Sequence, residues 1–254
     1  MRQPRPAATL DTPEPIPPTV ANGLLLEHAL SLLQQSGAAM PTEQAGSPRF
    51  LQGVIDALVD LSSRDALTGL TNRRGFEVAL AREVDRMARS GGSALLLIAD
   101  IDHFKHVNDS FGHANGDLVI RAVADALAHS VRPMDLVSRI GGEEFAILLP
   151  NCPIGFGPQV SERVRRRVAD SVVCTPDGRQ LTATVSLGGA FAPPWVRTTP
   201  RLWLERADLQ LYRAKHEGRN RVCLEATIQS GVSALERQML QFDLPIQPDH
   251  DTVG

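Results

Sequence analysis

Four acidic side chains carry the first chemical information in this sequence. Asp100 and Asp102 close a short apolar run, Ile98-Ala99-Asp100-Ile101-Asp102. Glu143 and Glu144 lie in the pentapeptide Gly141-Gly142-Glu143-Glu144-Phe145, which leads into a second apolar run, Ala146-Ile147-Leu148-Leu149-Pro150. Two glycines and two acids can make an ordinary hairpin turn. A strand delivering Asp100 at its end, beside a turn carrying Glu143 and Glu144, gathers carboxylates at one edge of a sheet. Such groups repel one another unless a cation lies between them. Hard oxygen ligands near phosphate select Mg²⁺, with Mn²⁺ as a substitute. Glycines at the turn let the backbone approach a bulky ligand closely. The competing reading is that these acids are merely solvated turn residues.

The elements that must position them follow from periodicity. Apolar residues predict helices over 22–36 and 48–63, joined by a linker over 37–47. In the second helix Phe50, Leu51, Val54, Ile55, Leu58 and Leu61 recur at three-and-four spacing, one face of a helix. That face must be covered by the rest of the chain, a second subunit or another protein. From residue 64 helices and strands alternate: helices over 74–89, 115–131, 157–170 and 200–217, strands over 94–99, 182–188 and 221–224, and a hairpin of 136–139 with 145–149. The fold class expected is α/β (α+β), helices on an antiparallel-rich central sheet. Four regions result: a Pro-rich disordered tail over 1–21, a helical regulatory or dimerisation region over 22–63, a catalytic domain over 64–225, and an extension over 226–254. Within the extension 227–242 can form a further helix, and the tail after Pro245 is expected to be loose.

Composition narrows the partners. The chain has 254 residues, 43% of them hydrophobic, and a net charge of −3, which gives no electrostatic footprint for nucleic acid. No apolar run approaches the roughly 18 residues that cross a bilayer, and the N-terminus lacks the apolar core of a signal peptide, so a cytoplasmic protein without a membrane span is expected. The three cysteines, Cys152, Cys174 and Cys223, form no CxxC pair, and read as small buried or half-buried hydrophobes in a reducing compartment.

Five separated blocks then identify a resemblance over about residues 62–224. They are Asp65-Ala66-Leu67-Thr68-Gly69-Leu70 with Asn72-Arg73-Arg74; Asp100-Ile101-Asp102-His103-Phe104-Lys105 with Asn108-Asp109; Phe111-Gly112-His113 with Gly116-Asp117; the pentapeptide preceded by Arg139; and Ala207-Asp208 with Leu211-Tyr212, Ala214-Lys215 and Gly218-Arg219-Asn220-Arg221. In this order they resemble the GGDEF-domain diguanylate cyclases, in a GGEEF variant. The resemblance implies a fold like the palm of nucleotide polymerases and the nucleotidyl cyclases. It also implies a reaction in which two GTP become cyclic di-GMP and two pyrophosphates, in a homodimer whose two domains face each other.

The resemblance further implies residue roles. Asp100, Glu143 and the backbone carbonyl of Ile101 would hold Mg²⁺, with Glu143 proposed as proton acceptor and Glu144 as a second carboxylate. Asn108 and Asp117 would read guanine; without that role they are a loop cap and a helix-start acid. His113 would support the nucleotide or brace its loop. Lys215 and Arg219, with Lys105 nearby, would neutralise the β- and γ-phosphates, aided by the N–H groups of His103 and Phe104. A basic helix end balancing its dipole is the plainer account of Lys215 and Arg219. Arg132 and Asp135 form an RxxD pair like the family's product-inhibition site, with Arg163 as its secondary arginine; otherwise they are a surface ion pair. Asp65 either caps a turn or relays a signal. A catalytically inactive cyclic di-GMP receptor or interaction module is the alternative function. A regulatory protein docking on residues 22–63 is the expected input.

Overall fold

The computed structural model describes residues 20–21, 24–192 and 198–226. Most of the tail expected over 1–21 and all of the extension from 227, including the helix over 227–242, lie outside these residues. Two short strands, β1 (Val20–Ala21) and β2 (Leu24–Leu25), pair antiparallel. Helix α1 (Glu27–Gln35) therefore starts later than the expected residue 22. Helix α2 (Pro48–Ser62) starts with proline at its first position, and the Ser47 hydroxyl accepts from the Phe50 N–H at 3.1 Å, an ordinary N-cap.

Leu30 and Leu33 of α1 pack on Phe50 and Val54 of α2, with Leu58 and Leu61 partly buried beside them. The apolar stripe expected along α2 is thus divided. Val54 is buried by α1, whereas Ile55 and Val59 remain 53% and 58% exposed. Part of the cover comes from within the chain, by the hairpin of α1 on α2.

The remaining described residues build one six-stranded sheet in the order β10-β9-β4-β6-β5-β3. Its members are β3 (Thr71–Asn72), β4 (Ala94–Ile101), β5 (Leu136–Arg139), β6 (Glu144–Pro150), β9 (Val185–Ala192) and β10 (Val222–Leu224). The three inner pairings are antiparallel and the two edge pairings parallel. Strand β4 is buried along its whole length, and its side chains alternate between two cores. Leu95, Leu97, Ala99 and Ile101 face α5 (His113–Ala128) and α6 (Gly157–Ala169); Ala94, Leu96 and Ile98 face α3 (Arg73–Ser90) and α7 (Pro200–His216). This is the mixed α/β fold with a central sheet flanked by helices that the sequence predicts.

Three features depart from expectation. Helix α4 (Phe104–Phe111) directly follows β4; its eight polar-rich residues give too short a period to read, and Gly112 at φ 80° ends it. A small hairpin, β7 (Val172–Cys174) with β8 (Gln180–Thr182), occupies the start of the strand expected over 182–188. Its turn residues Pro176-Asp177-Gly178 are a recognisable turn signal. The sheet strand β9 accordingly runs later, over Val185–Ala192.

Candidate active site

The register of β4 and β6 sets Asp100 directly opposite Glu144, and the Ile101 N–H donates to the Glu143 carbonyl at 3.2 Å. The end of one strand and the signature turn are therefore one piece of backbone. Asp100 is 7% exposed. Burial pushes its carboxyl above the usual range against the pull of Lys215, and neighbouring Asp102 adds to the rise. Burial likewise raises Glu143, reinforced by the charges of Asp100 and Glu144. Asp208 on α7 is raised by burial and then by Glu144. Crowded acids of this kind favour an added cation.

One cation of the chain already stands there. Lys215 Nζ lies 2.8 Å from Asp100 Oδ2. The expected phosphate-neutralising lysine is thus placed against the first carboxylate. Helix α7 reaches this point because it rests directly on the backbone of β9: a Cβ at Gly188 would stand 1.9 Å from the Leu211 nitrogen and 2.4 Å from the Ala207 oxygen. Arg219 follows α7 in a left-handed conformation, φ 61°, and its charge pulls on Asp100.

Across the end of β4, His103 turns the chain at φ 56° and starts α4, its carbonyl accepting from the His106 and Val107 N–H groups at 2.9 and 3.3 Å. Phe104 is buried, while His103 and Lys105 are exposed. Asn108 lies over the neighbouring helix at Gly116, where a Cβ would come within 2.0 Å of its Oδ1. The half-exposed Asp117 is the next residue, and exposed His113 begins α5. Asn108 is therefore set against α5 at the residue before Asp117.

The RxxD residues form a closed turn. The Arg132 N–H donates to Asp135 Oδ2 at 2.7 Å, and the Asp135 N–H donates to the Arg132 carbonyl at 3.0 Å. Arg163 of α6 joins them by donating from Nε to the Ser130 carbonyl at 3.0 Å. Burial raises the Asp135 carboxyl, against the pull of Arg132 and Arg163. These three residues share a patch built on β5 and α6, apart from the acids at the β4 end.

Asp65 has a partner that sequence spacing does not show. Arg139 Nη1 donates to its two oxygens at 3.1 and 3.2 Å, and the same guanidinium donates to the Gly142 carbonyl at 3.2 Å (Nε) and 2.8 Å (Nη2). Burial pushes the Asp65 carboxyl up, but hydrogen bonds from Thr68 and Arg139 outweigh it and hold the group low. Asn72 completes the junction, donating to the Ser62 carbonyl at 2.7 Å and capping α3 at Gly75. The end of α2 is thereby tied to the signature turn.

A family model described as diguanylate cyclase, GGDEF domain, matches residues 62–221. The chain belongs to that family. The response regulator PleD of Caulobacter vibrioides is 40% identical over 174 residues, 68% of this chain and 38% of PleD. The chain spans less than half the length of the first curated relatives it matches. Among solved structures, the coiled coil and GGDEF domain of DgcB from Caulobacter crescentus, in complex with c-di-GMP, has a TM-score of 0.65 at 30% identity, covering 79% of this chain and 99% of that one. The diguanylate cyclase SiaD of Pseudomonas aeruginosa, in complex with its activator SiaC, has a TM-score of 0.63 at 33% identity, covering 79% and 73%.

Proposed function

We propose that the chain is a diguanylate cyclase that condenses two GTP into cyclic di-GMP in the cytoplasm, with residues 64–225 as the catalytic unit. The observation that carries this reading is the meeting of Asp100 and the Glu143-Glu144 turn on adjoining strands, with Lys215 and Arg219 beside them. Asn108 and Asp117 supply the amide and carboxylate that match the guanine edge, a pairing adenine cannot satisfy.

The donor set fits Mg²⁺ or Mn²⁺. Asp100 and Glu143 are hard oxygen donors whose carboxyls are raised by burial and then by neighbouring acids, and Asp100 already pairs with the ammonium of Lys215 at 2.8 Å, so the fit rests on the chemistry of these donors. Mg²⁺ is usually held by one or two carboxylates plus substrate phosphates, a number these two side chains can supply. Bound by Asp100, Glu143 and the Ile101 carbonyl, the ion would supply Lewis-acid activation of the 3′-hydroxyl and neutralise charge on the leaving pyrophosphate. The residues themselves orient the guanine, hold the triphosphate through Lys215, Arg219 and Lys105, and offer Glu143 as proton acceptor. Incubation with GTP and Mg²⁺ should yield cyclic di-GMP and pyrophosphate, with ATP inert. Binding of cyclic di-GMP without turnover would show a receptor instead.

Product inhibition is assigned to Arg132, Asp135 and Arg163. Arg132→Ala should weaken cyclic di-GMP binding by about tenfold or more, the loss of a charge-assisted hydrogen bond, and progress curves should run to higher product. A curve that levels off with wild type would remove this role.

Each active site accommodates one GTP, so two domains must meet, and α2 is the proposed stalk. The partly exposed Ile55 and Val59 are its free apolar positions, whereas Leu58 packs toward α1. Ile55→Asp with Val59→Asp should lower specific activity at dilute protein while leaving the α1–α2 hairpin intact. Equal activity at every concentration would exclude the stalk. The similarity to SiaD, solved with its activator, supports a regulatory protein acting on residues 22–63.

A further inference from the structure

Asp102 has no part in the chemistry above, yet it is among the most heavily engaged side chains of the site. It is 6% exposed and accepts three hydrogen bonds: from Thr184 Oγ1 at 2.7 Å, Ser186 Oγ at 2.6 Å and the Asn220 N–H at 3.0 Å. Its own N–H donates to the Thr184 carbonyl at 2.9 Å. None of these partners is a cation. A buried carboxylate whose bonded partners among the described residues are all neutral, close to another acid, is unfavourable unless its hydrogen bonds repay the burial.

The third donor shows what the arrangement achieves. Asn220 and Arg219 are consecutive non-glycine residues at φ 45° and 61°, a conformation that persists only where the surroundings impose it. Asp102 fixes the Asn220 backbone from one side. From the other, Arg165 Nη1 of α6 donates to Asn220 Oδ1 at 2.6 Å, and Arg165 is itself held by both oxygens of Glu162 at 2.9 and 2.8 Å. The Arg219 N–H donates back to the Ala214 carbonyl at 3.0 Å, continuing the end of α7. The turn is clamped at both ends, and the Arg219 guanidinium is the charged group it presents.

We infer that Asp102 is a positioning residue for the triphosphate, acting through the clamped Asn220 turn to hold Arg219 where the β- and γ-phosphates lie. The inference rests on the proposed phosphate role of Arg219. An amide at position 102 keeps the size but cannot accept from every donor at once without turning one hydroxyl around.

Equilibrium binding of 3′-deoxy-GTP, which cannot condense, and of GMP separates this role from a general structural one. Asp102→Asn should weaken 3′-deoxy-GTP about tenfold, since the acceptor of the Asn220 N–H loses its charge and the bond its charge assistance, and leave GMP unchanged. Arg219→Ala should show the same selectivity, and the double variant should bind no worse than Arg219→Ala alone. Arg165→Gln, which releases the turn from outside the core, should reproduce the selective loss even if Asp102→Asn fails to fold. Equal weakening of both nucleotides by Asp102→Asn, or by Arg165→Gln in its place, overturns the inference, as does full additivity with Arg219→Ala. If Arg219→Ala is selective and neither Asp102→Asn nor Arg165→Gln is, the inference alone falls. If Arg219→Ala itself lacks selectivity, the phosphate reading falls with it.

Discussion

Glu143→Gln is expected to reduce cyclic di-GMP synthesis by well over about tenfold, beyond ~1.4 kcal/mol of transition-state stabilisation, with no loss of thermal stability. The side chain and backbone of Glu143 have separable jobs. The backbone carbonyl accepts from the Ile101 N–H at 3.2 Å and fixes the turn against β4; glutamine preserves that bond. The side chain is a carboxylate raised by burial and by Asp100 and Glu144, and glutamine removes the charge a metal requires. It also relieves repulsion among the acids, so Tm should be unchanged or slightly higher. Retention of more than about a tenth of the wild-type rate would contradict the assignment.

Gly188→Ala should have the largest effect on stability. The added Cβ would meet the Leu211 nitrogen at 1.9 Å, the Ala207 oxygen at 2.4 Å and the Leu211 Cα at 2.5 Å. These are main-chain atoms of α7, so no rotamer change makes room and the helix must lift from β9. Overpacking of this kind costs about 1–3 kcal/mol or more, a fall in Tm of roughly 2–4 °C per kcal/mol for a chain of this size. The displaced helix carries Lys215, so activity should fall with Tm. Wild-type melting and turnover would show that α7 does not depend on this close approach.

The parts of the site legible in the sequence are those where chemistry and a short apolar run coincide. Asp100 after a buried strand and Glu143-Glu144 at a Gly-Gly turn could be placed from the residues, and the register of β4 on β6 brings them together as expected. The RxxD turn is equally local. What could not be read depends on distant pairings. Asp102 binds groups 82, 84 and 118 residues away, and Arg139 reaches Asp65 across 74. The α2 stripe is only half legible for another reason: periodicity shows that a face is apolar, not that α1 folds back over part of it. Helix α4 leaves little periodic signal because its eight residues barely complete two turns.

The Arg139 guanidinium has a consequence for how the molecule can be driven. Its donors are divided between the carboxylate of Asp65, just past the end of α2, and the carbonyl of Gly142, next to Glu143. A planar fork is stiff, so these two attachments keep a fixed spacing, like the ends of a connecting rod. A twist of α2 that shifts Asp65 must either break a hydrogen bond or drag the Glu143 turn along. Anything that moves α2 and Asp65 with it therefore acts on the backbone beside Glu143 through a single side chain.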